Sequence, residues 1–340
     1  MRKRSVIIAV FIIAICLLTA CGAKSPSEKV VKDIIQSNNL NVLSNAHTNY
    51  YGDPIVFNIE NINIELQQDN DKQSTVKCKL SLDNADYSAT VYYTLDLVYY
   101  DKGGWVLNKV YEYNDYELLP KQGYVGTEDS QNSPLAQLSS YMRDYGISYN
   151  DAIASEYYLD LAEPAEVYYI TYNGSTEFCD YSGSAYVYYA FNNRSGRWYP
   201  SNFESLGYQV TNWYLDKSMK CFHEYVRISN VDLVNYSATV ECYHTDHNYL
   251  NSGVASAQQV YITPDDARQY LYFSPITIYY EGNPDSMWYD ESETEYLYIF
   301  ASKDGFRYGK SSNFYDSPNK VWQFLNGYYH GDNATIVDSF

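Results

Sequence analysis

The amino-acid sequence predicts an α+β protein, mainly antiparallel β, built from two or three small helix-plus-curved-sheet modules in tandem. Three observations lead there. Apolar and polar residues alternate with a period of two through much of the chain, as in Val76, Cys78, Leu80 and Leu82 against Lys77, Lys79 and Ser81, the pattern of a strand with one buried face. Turn-forming pairs such as Gly103-Gly104 and Asn173-Gly174 separate these stretches by connections short enough to join antiparallel neighbours. Helical spacing is confined to a few places, opened by Ser25-Pro26, Ser133-Pro134, Thr263-Pro264 and Ser317-Pro318.

The first helix is predicted over residues 25–40. Ser25 caps it, Pro26 takes the first helical position, Glu28 completes a capping box, and Val30, Val31, Ile34 and Ile35 share a face. The period then changes to two: Phe57 and Ile59, followed by Ile62, Ile64 and Leu66, form a long strand with a bulge near Asn61. Residues 76–82 make a second strand, Tyr87 to Tyr100 a third, and Asp101-Lys102-Gly103-Gly104 turns into a fourth over Trp105 to Tyr113. One helix followed by a four-strand meander resembles the NTF2-like and cystatin-like α+β modules. That likeness is architectural and implies no particular activity.

Residues 25–118 are therefore expected as the first module and the aperiodic stretch 119–133 as a linker. A second α+β module, 134–200, opens with the helical stripe Leu135, Leu138, Tyr141, Met142 and Tyr145 and continues into strands around 167–172 and 185–191. Asn173-Gly174 is expected as its hairpin turn, and Arg194-Ser195-Gly196 turns the chain back into Trp198. The remainder, 201–340, is expected as a β-rich third module with a C-terminal tail. Thr263-Pro264-Asp265-Asp266 signals one helix there, and Val321, Trp322 and Leu325 form one side of a short tail helix that docks onto a sheet. Tyr87-Ser88-Ala89-Thr90-Val91 recurs as Tyr236-Ser237-Ala238-Thr239-Val240. The uneven spacing of such echoes excludes a solenoid; diverged copies and chance recurrence of common strand residues both account for them.

The N-terminus carries a different signal. Arg2, Lys3 and Arg4 precede an apolar run from Val6 to Leu18, and Leu18-Thr19-Ala20-Cys21 follows. A basic start, an apolar stretch and small residues before a cleavage point are the parts of an export signal; the run is shorter than the roughly 20 apolar residues of a membrane span. Leu18-Thr19-Ala20-Cys21 resembles the lipobox of bacterial lipoproteins. The resemblance implies removal of residues 1–20 as a signal peptide, diacylation of Cys21, and a lipidated tether over 21–24 on the extracytoplasmic face of the cell membrane. Cleavage removes three positive charges and changes the net charge from −19 to −22. That balance argues against nucleic-acid binding, which needs basic surface to displace counterions, and leaves the lipid as the contact with the membrane.

Tyrosine is abundant, 42 residues against 12 Phe. It is a strong strand former, and an outward ring can also stack on a ligand. Trp105 and Trp198, beside their turns, are the candidate aromatic contacts for a glycan or protein partner. The candidate chemistry lies in Cys221-Phe222-His223 and Cys242-Tyr243-His244. A hairpin placing Cys221 opposite Cys242 allows a disulfide, which the exported side permits; Cys221, His223, Cys242 and His244 are also ligand types for zinc, though at no familiar spacing. Cys78, on the apolar face of its strand, reads as a buried thiol. The acidic groups at 69–71, 83–86 and 290–295 follow no calcium-loop pattern. No nucleophile elbow, phosphate loop or dinucleotide fingerprint is present, and no cofactor is expected. The leading expectation is a non-catalytic binding or envelope-assembly lipoprotein. A hydrolase of wall or nutrient polymer and a chaperone-like or structural partner of an exported protein are the alternatives.

Overall fold

A computed structural model describes residues 25–48, 54–112, 117–124, 131–221, 224–244, 256–280, 293–327 and 337–338. The fold is β-rich and its sheets are antiparallel. The described residues divide into two compact units. One comprises Met1–Gln137, Ala154–Tyr169 and Tyr186–Glu204; the other comprises Leu138–Ile153, Ile170–Ala185 and Ser205–Phe340.

In the first unit, helix α1 (Glu28–Ser37) is capped by Ser27, whose hydroxyl accepts from the Val30 N–H at 3.4 Å. The expected cap Ser25 instead donates to Asp69 at 2.5 Å, and Pro26 precedes the helix rather than opening it. The shift places Glu28 in the first turn, where a carboxylate complements the helix dipole. A short pair, β1 (Val42–Thr48) and β2 (Pro54–Val56), follows. The main sheet then runs β3 (Asn58–Asn70), β4 (Gln73–Asp83), β5 (Tyr87–Tyr100) and β6 (Gly104–Glu112) in sequence order. The bulge expected near Asn61 lies between Ile59 and Asn61, and a second lies between Ile64 and Leu66. Val76, Cys78, Leu80 and Leu82 of β4 and Ala89, Val91, Tyr93, Leu95 and Leu97 of β5 fill one face, against Val31, Ile34 and Ile35 of α1. Cys78 is a buried thiol, pushed up to about 12 by desolvation.

The long strand β5 serves two partners along one edge: β6 pairs with Tyr93 to Tyr100, and β7 (Glu117–Pro120) pairs with Tyr87 to Thr90. Leu118 of β7 is fully buried in the same core. The expected linker therefore starts inside a strand, and Lys121 is tied to Asp83 at 2.7 Å.

Helix α2 (Pro134–Asp144) comes next, then a four-strand sheet of β8 (Asp151–Asp160), β9 (Ala165–Ser175), β10 (Cys179–Asn192) and β11 (Arg197–Trp213), ordered β11-β10-β9-β8. The expected module boundary at 200/201 falls within β11. Pro200 does not break this strand because β11 ends the sheet, where a missing N–H need not cost a ladder bond. The expected turn at Asn173-Gly174 is also strand. Gly174 makes room: a Cβ there would collide with the ring of Tyr181, and one at Gly183 with the ring of Tyr172.

The second unit holds an eight-strand meander in sequence order: β12 (Ser218–Cys221), β13 (Glu224–Asp232), β14 (Ser237–His244), β15 (Ser256–Asp265), β16 (Tyr270–Tyr280), β17 (Glu293–Ser302), β18 (Gly305–Ser311) and β19 (Val337–Asp338). Thr263, Pro264 and Asp265, expected to open a helix, end β15. The β14 ladder stops at Tyr261, and Pro264 stands opposite Leu271 of β16. Both faces of β17 are buried. Leu297, Ile299 and Ala301 enter one core, while Tyr298 and Phe300 meet Val321, Phe324 and Leu325 of helix α3 (Pro318–Leu325) in another. The tail helix thus docks on the sheet as expected, and Gly309 admits it, since a side chain there would meet Leu325.

Leu80 has no solvent exposure and stands between Ile62 and Val91. Leu80→Ala is expected to lower unfolding stability by roughly 2–5 kcal/mol, read by urea denaturation. Lys79→Ala, one position away on the open face, is expected to stay within about 0.5 kcal/mol. Equal effects would show that this face is not the core.

Candidate functional site

The first unit contains a cleft of about 480 Å³ formed where the start of β5, the segment leaving β7 and the turn before β11 meet. Each wall has a local reason for its shape. Asn84 Oδ1 accepts from the N–H groups of Asp86 and Tyr87 at 2.9 and 2.7 Å, turning the chain into β5. Asn192 Oδ1 accepts from the Arg194 and Ser195 N–H groups, both at 3.0 Å, an Asx turn. Gly196 completes the turn at φ +66°, a left-handed conformation that glycine adopts without steric cost. This is the Arg194-Ser195-Gly196 reversal expected from sequence.

The walls are tied across the cleft through aromatic tips. Tyr87 donates its hydroxyl to the Gly196 carbonyl at 2.9 Å. Trp198 Nε1 donates to the Gln122 carbonyl at 3.3 Å, and its ring meets Phe191 edge-on at 5.4 Å. Gln122 in turn reaches the Asp86 carboxylate at 3.3 Å. The Tyr124 ring stacks on Tyr189 at 4.4 Å. Its carbonyl accepts from the Tyr168 hydroxyl at 3.0 Å, and its N–H donates to Glu166. The Tyr189 hydroxyl donates to the Asn132 carbonyl. Asp86, Asn132, Asn192, Arg197 and Tyr199 supply exposed polar groups and a ring among the lining residues.

Behind this lining sits Glu166, with 1% of its surface exposed. A Cβ on Gly123 would lie 2.7 Å from its carboxylate, so glycine lets the chain close over the acid. Burial pushes the Glu166 carboxyl above its ordinary value, against the opposing pull of the Tyr124 N–H and Tyr168 hydroxyl bonds. Desolvation likewise raises Tyr87, Tyr168 and Tyr189, keeping them neutral donors.

Among the described lining residues Asp86 is the one carboxylate, and they include no His, Cys or Lys. The arrangement can hold a ring against aromatic surface and hydrogen-bond its edge. The described lining residues include neither a second carboxylate to pair with Asp86 nor a histidine base.

Of the residues singled out from sequence, Trp198 lines the cleft. Trp105 does not. It packs against the sheet core and meets Tyr99 edge-on at 5.5 Å. The hairpin expected to pair Cys221 with Cys242 differs in register. Cys221 lies on β12 opposite Glu224, and Cys242 lies on β14 opposite Val226. Strand β13 stands between them, so two strand spacings of about 4.8 Å separate their backbones, more than the 4.4–6.8 Å Cα span of a disulfide. Both enter one apolar core. Of the four-residue zinc set, His223 lies outside the described residues, and for His244 only the strand is described. Among the described residues no cluster of three or more His, Cys, Asp or Glu could hold a metal. Cys21 and the 290–292 part of the acidic run also lie outside them. Among the described residues, no helix is long and apolar enough to cross a membrane. Sequence reasoning missed Tyr87, Tyr124, Asp86, Asn132, Asn192 and Arg197 as cleft residues. Comparison with family models, curated proteins and solved structures finds no match.

Two outcomes follow from this geometry. Gly196→Ala combines a positive φ with a Cβ 3.1 Å from Leu118, and is expected to cost roughly 1–2 kcal/mol in urea unfolding; a neutral result would mean the turn is not held as described. Folded Glu166 holds its proton more tightly than the unfolded chain does. Its contribution is therefore fully present below about 4.5 and is lost as pH rises through the raised folded value. Relative to Glu166→Gln, the wild-type unfolding midpoint is expected to fall as pH rises from 4 to 8; a pH-independent difference would contradict the burial.

Proposed function

We propose that the protein is an extracytoplasmic lipoprotein, held on the cell membrane by acyl chains on Cys21, which presents β-rich modules and binds a ligand in the aromatic cleft without transforming it. The observation that carries the binding part is the cross-tied lining. Tyr87 and Trp198 spend their polar tips on carbonyls of the opposite wall, while Tyr124 is fixed through both main-chain groups. A site assembled before its ligand arrives loses less conformational freedom on binding. The single carboxylate among the described lining residues supports binding over hydrolysis. The anchor rests on the basic start, the apolar run and Leu18-Thr19-Ala20-Cys21. Each acyl methylene buried in the bilayer adds about 0.8 kcal/mol, so two or three chains suffice for a stable hold.

The anchor is tested by metabolic labelling with an alkyne palmitate in a bacterial host, followed by membrane fractionation. The wild-type chain is expected to carry label and sediment with membranes, and Cys21→Ala to lose both. Label retained by the variant, or membrane retention unchanged without label, would remove the lipid from the account.

A further inference from the structure

We infer that the ligand of the cleft is a neutral saccharide. The inference rests on the cleft being a binding site and adds the class of molecule that its chemistry selects. A pyranose ring presents an apolar face of C–H groups and a rim of hydroxyls, each able to donate and accept. The lining offers both complements. Trp198 supplies aromatic surface at the wall, the kind of stiff amphipathic ring that binds such a face. Around it stand the second carboxylate oxygen of Asp86, whose first accepts from Gln122, the exposed amide of Asn132, the amide NH2 of Asn192, whose oxygen is taken by the Arg194 and Ser195 N–H groups, and the guanidinium of Arg197. A purely apolar ligand would strip water from these groups without replacing their hydrogen bonds, at a cost.

Overall charge disfavours polyanions. The described lining balances Asp86 with Arg197, but the chain after Cys21 carries a net charge of −22, so a phosphate- or carboxylate-bearing polymer approaches against long-range repulsion. The cleft volume, about 480 Å³, falls within the roughly 300–1,000 Å³ of small-ligand sites, enough for a short saccharide segment rather than a protein surface.

The test uses the full-length acylated chain in detergent micelles, titrated calorimetrically with maltohexaose, cellohexaose and chitohexaose. A heparin hexasaccharide and a Pro/Tyr-rich decapeptide serve as the competing classes. Saturable binding of at least one neutral hexasaccharide is expected. It should weaken at least tenfold in Trp198→Ala and in Asp86→Asn, and be largely kept in Trp198→Phe, which preserves a stacking face. Asp86 is exposed, so its variant reports on the site even if the loss of Trp198 disturbs packing against Phe191. The inference is overturned if no neutral hexasaccharide binds, or if binding is indifferent to all three variants. Binding of only the heparin fragment or the peptide, sensitive to Trp198→Ala, overturns the saccharide class and leaves the binding site standing. Release of new reducing ends from a bound hexasaccharide keeps the saccharide and overturns the non-catalytic reading.

Discussion

A tyrosine ring buried in a sheet brings a hydroxyl with it, and that hydroxyl must find an acceptor or cost the free energy of an unmet polar group. The same solution recurs through this protein: the hydroxyl donates to a main-chain carbonyl outside the ladder it belongs to. Tyr93 reaches Leu40, Tyr172 reaches Gly207, Tyr298 reaches Asn313 and Tyr308 reaches Lys220, at 3.2, 3.1, 2.7 and 3.0 Å. Tyr181 donates to Ser148 in the same way. Each bond therefore fixes a second stretch of chain to a core strand. Phenylalanine would bury a similar ring and leave the partner carbonyl without its donor. A tyrosine-rich composition thus has a structural use well away from any surface, and all five of these rings are buried.

Glycine is the counterpart of those rings. Gly174 and Gly183 leave space for Tyr181 and Tyr172 on the facing strand, and Gly309 lets α3 lie close on β18. In each case the residue sits within a strand where an isolated glycine weakens pairing. The close packing of a large side chain over the backbone offsets that loss. This explains why Asn173-Gly174 reads as a turn in one dimension and is strand in three: the local signal is the same, and the ring that decides between them arrives from the next strand.

Alternation made the β4–β5 hairpin readable almost residue by residue, because a strand with one buried face has to declare that face every second position. The bulge near Asn61 was readable for the same reason, as a break in phase. Helix caps were readable only to within a turn, since Ser25 and Ser27 both offer a hydroxyl before the apolar stripe. The register around Cys221 and Cys242 was not readable. Pairing the two cysteines required one hairpin, whereas the chain spends Ser218–Cys221 on a separate strand before β13. The cleft was hardest. Tyr87 and Gly196 lie 109 positions apart, and the segment that brings Gln122, Gly123 and Tyr124 between them has the composition of a linker. Only Trp198, a large ring, and the Arg194-Ser195-Gly196 turn before it stood out locally.

The cleft follows from the tyrosine rule rather than standing apart from it. Tyr87, Tyr168 and Tyr189 satisfy their hydroxyls on Gly196, Tyr124 and Asn132, and these three carbonyls belong to residues of the cleft lining. The bonds that let the rings be buried thus also hold the walls of the cavity open at a fixed spacing. Glu166 adds to this from behind by accepting the Tyr124 N–H, and its raised proton affinity is the electrostatic consequence of closing Gly123 over it. On the proposed reading this cleft suits a tethered protein: the lipid holds the site at the surface where its ligand is displayed, raising the effective concentration.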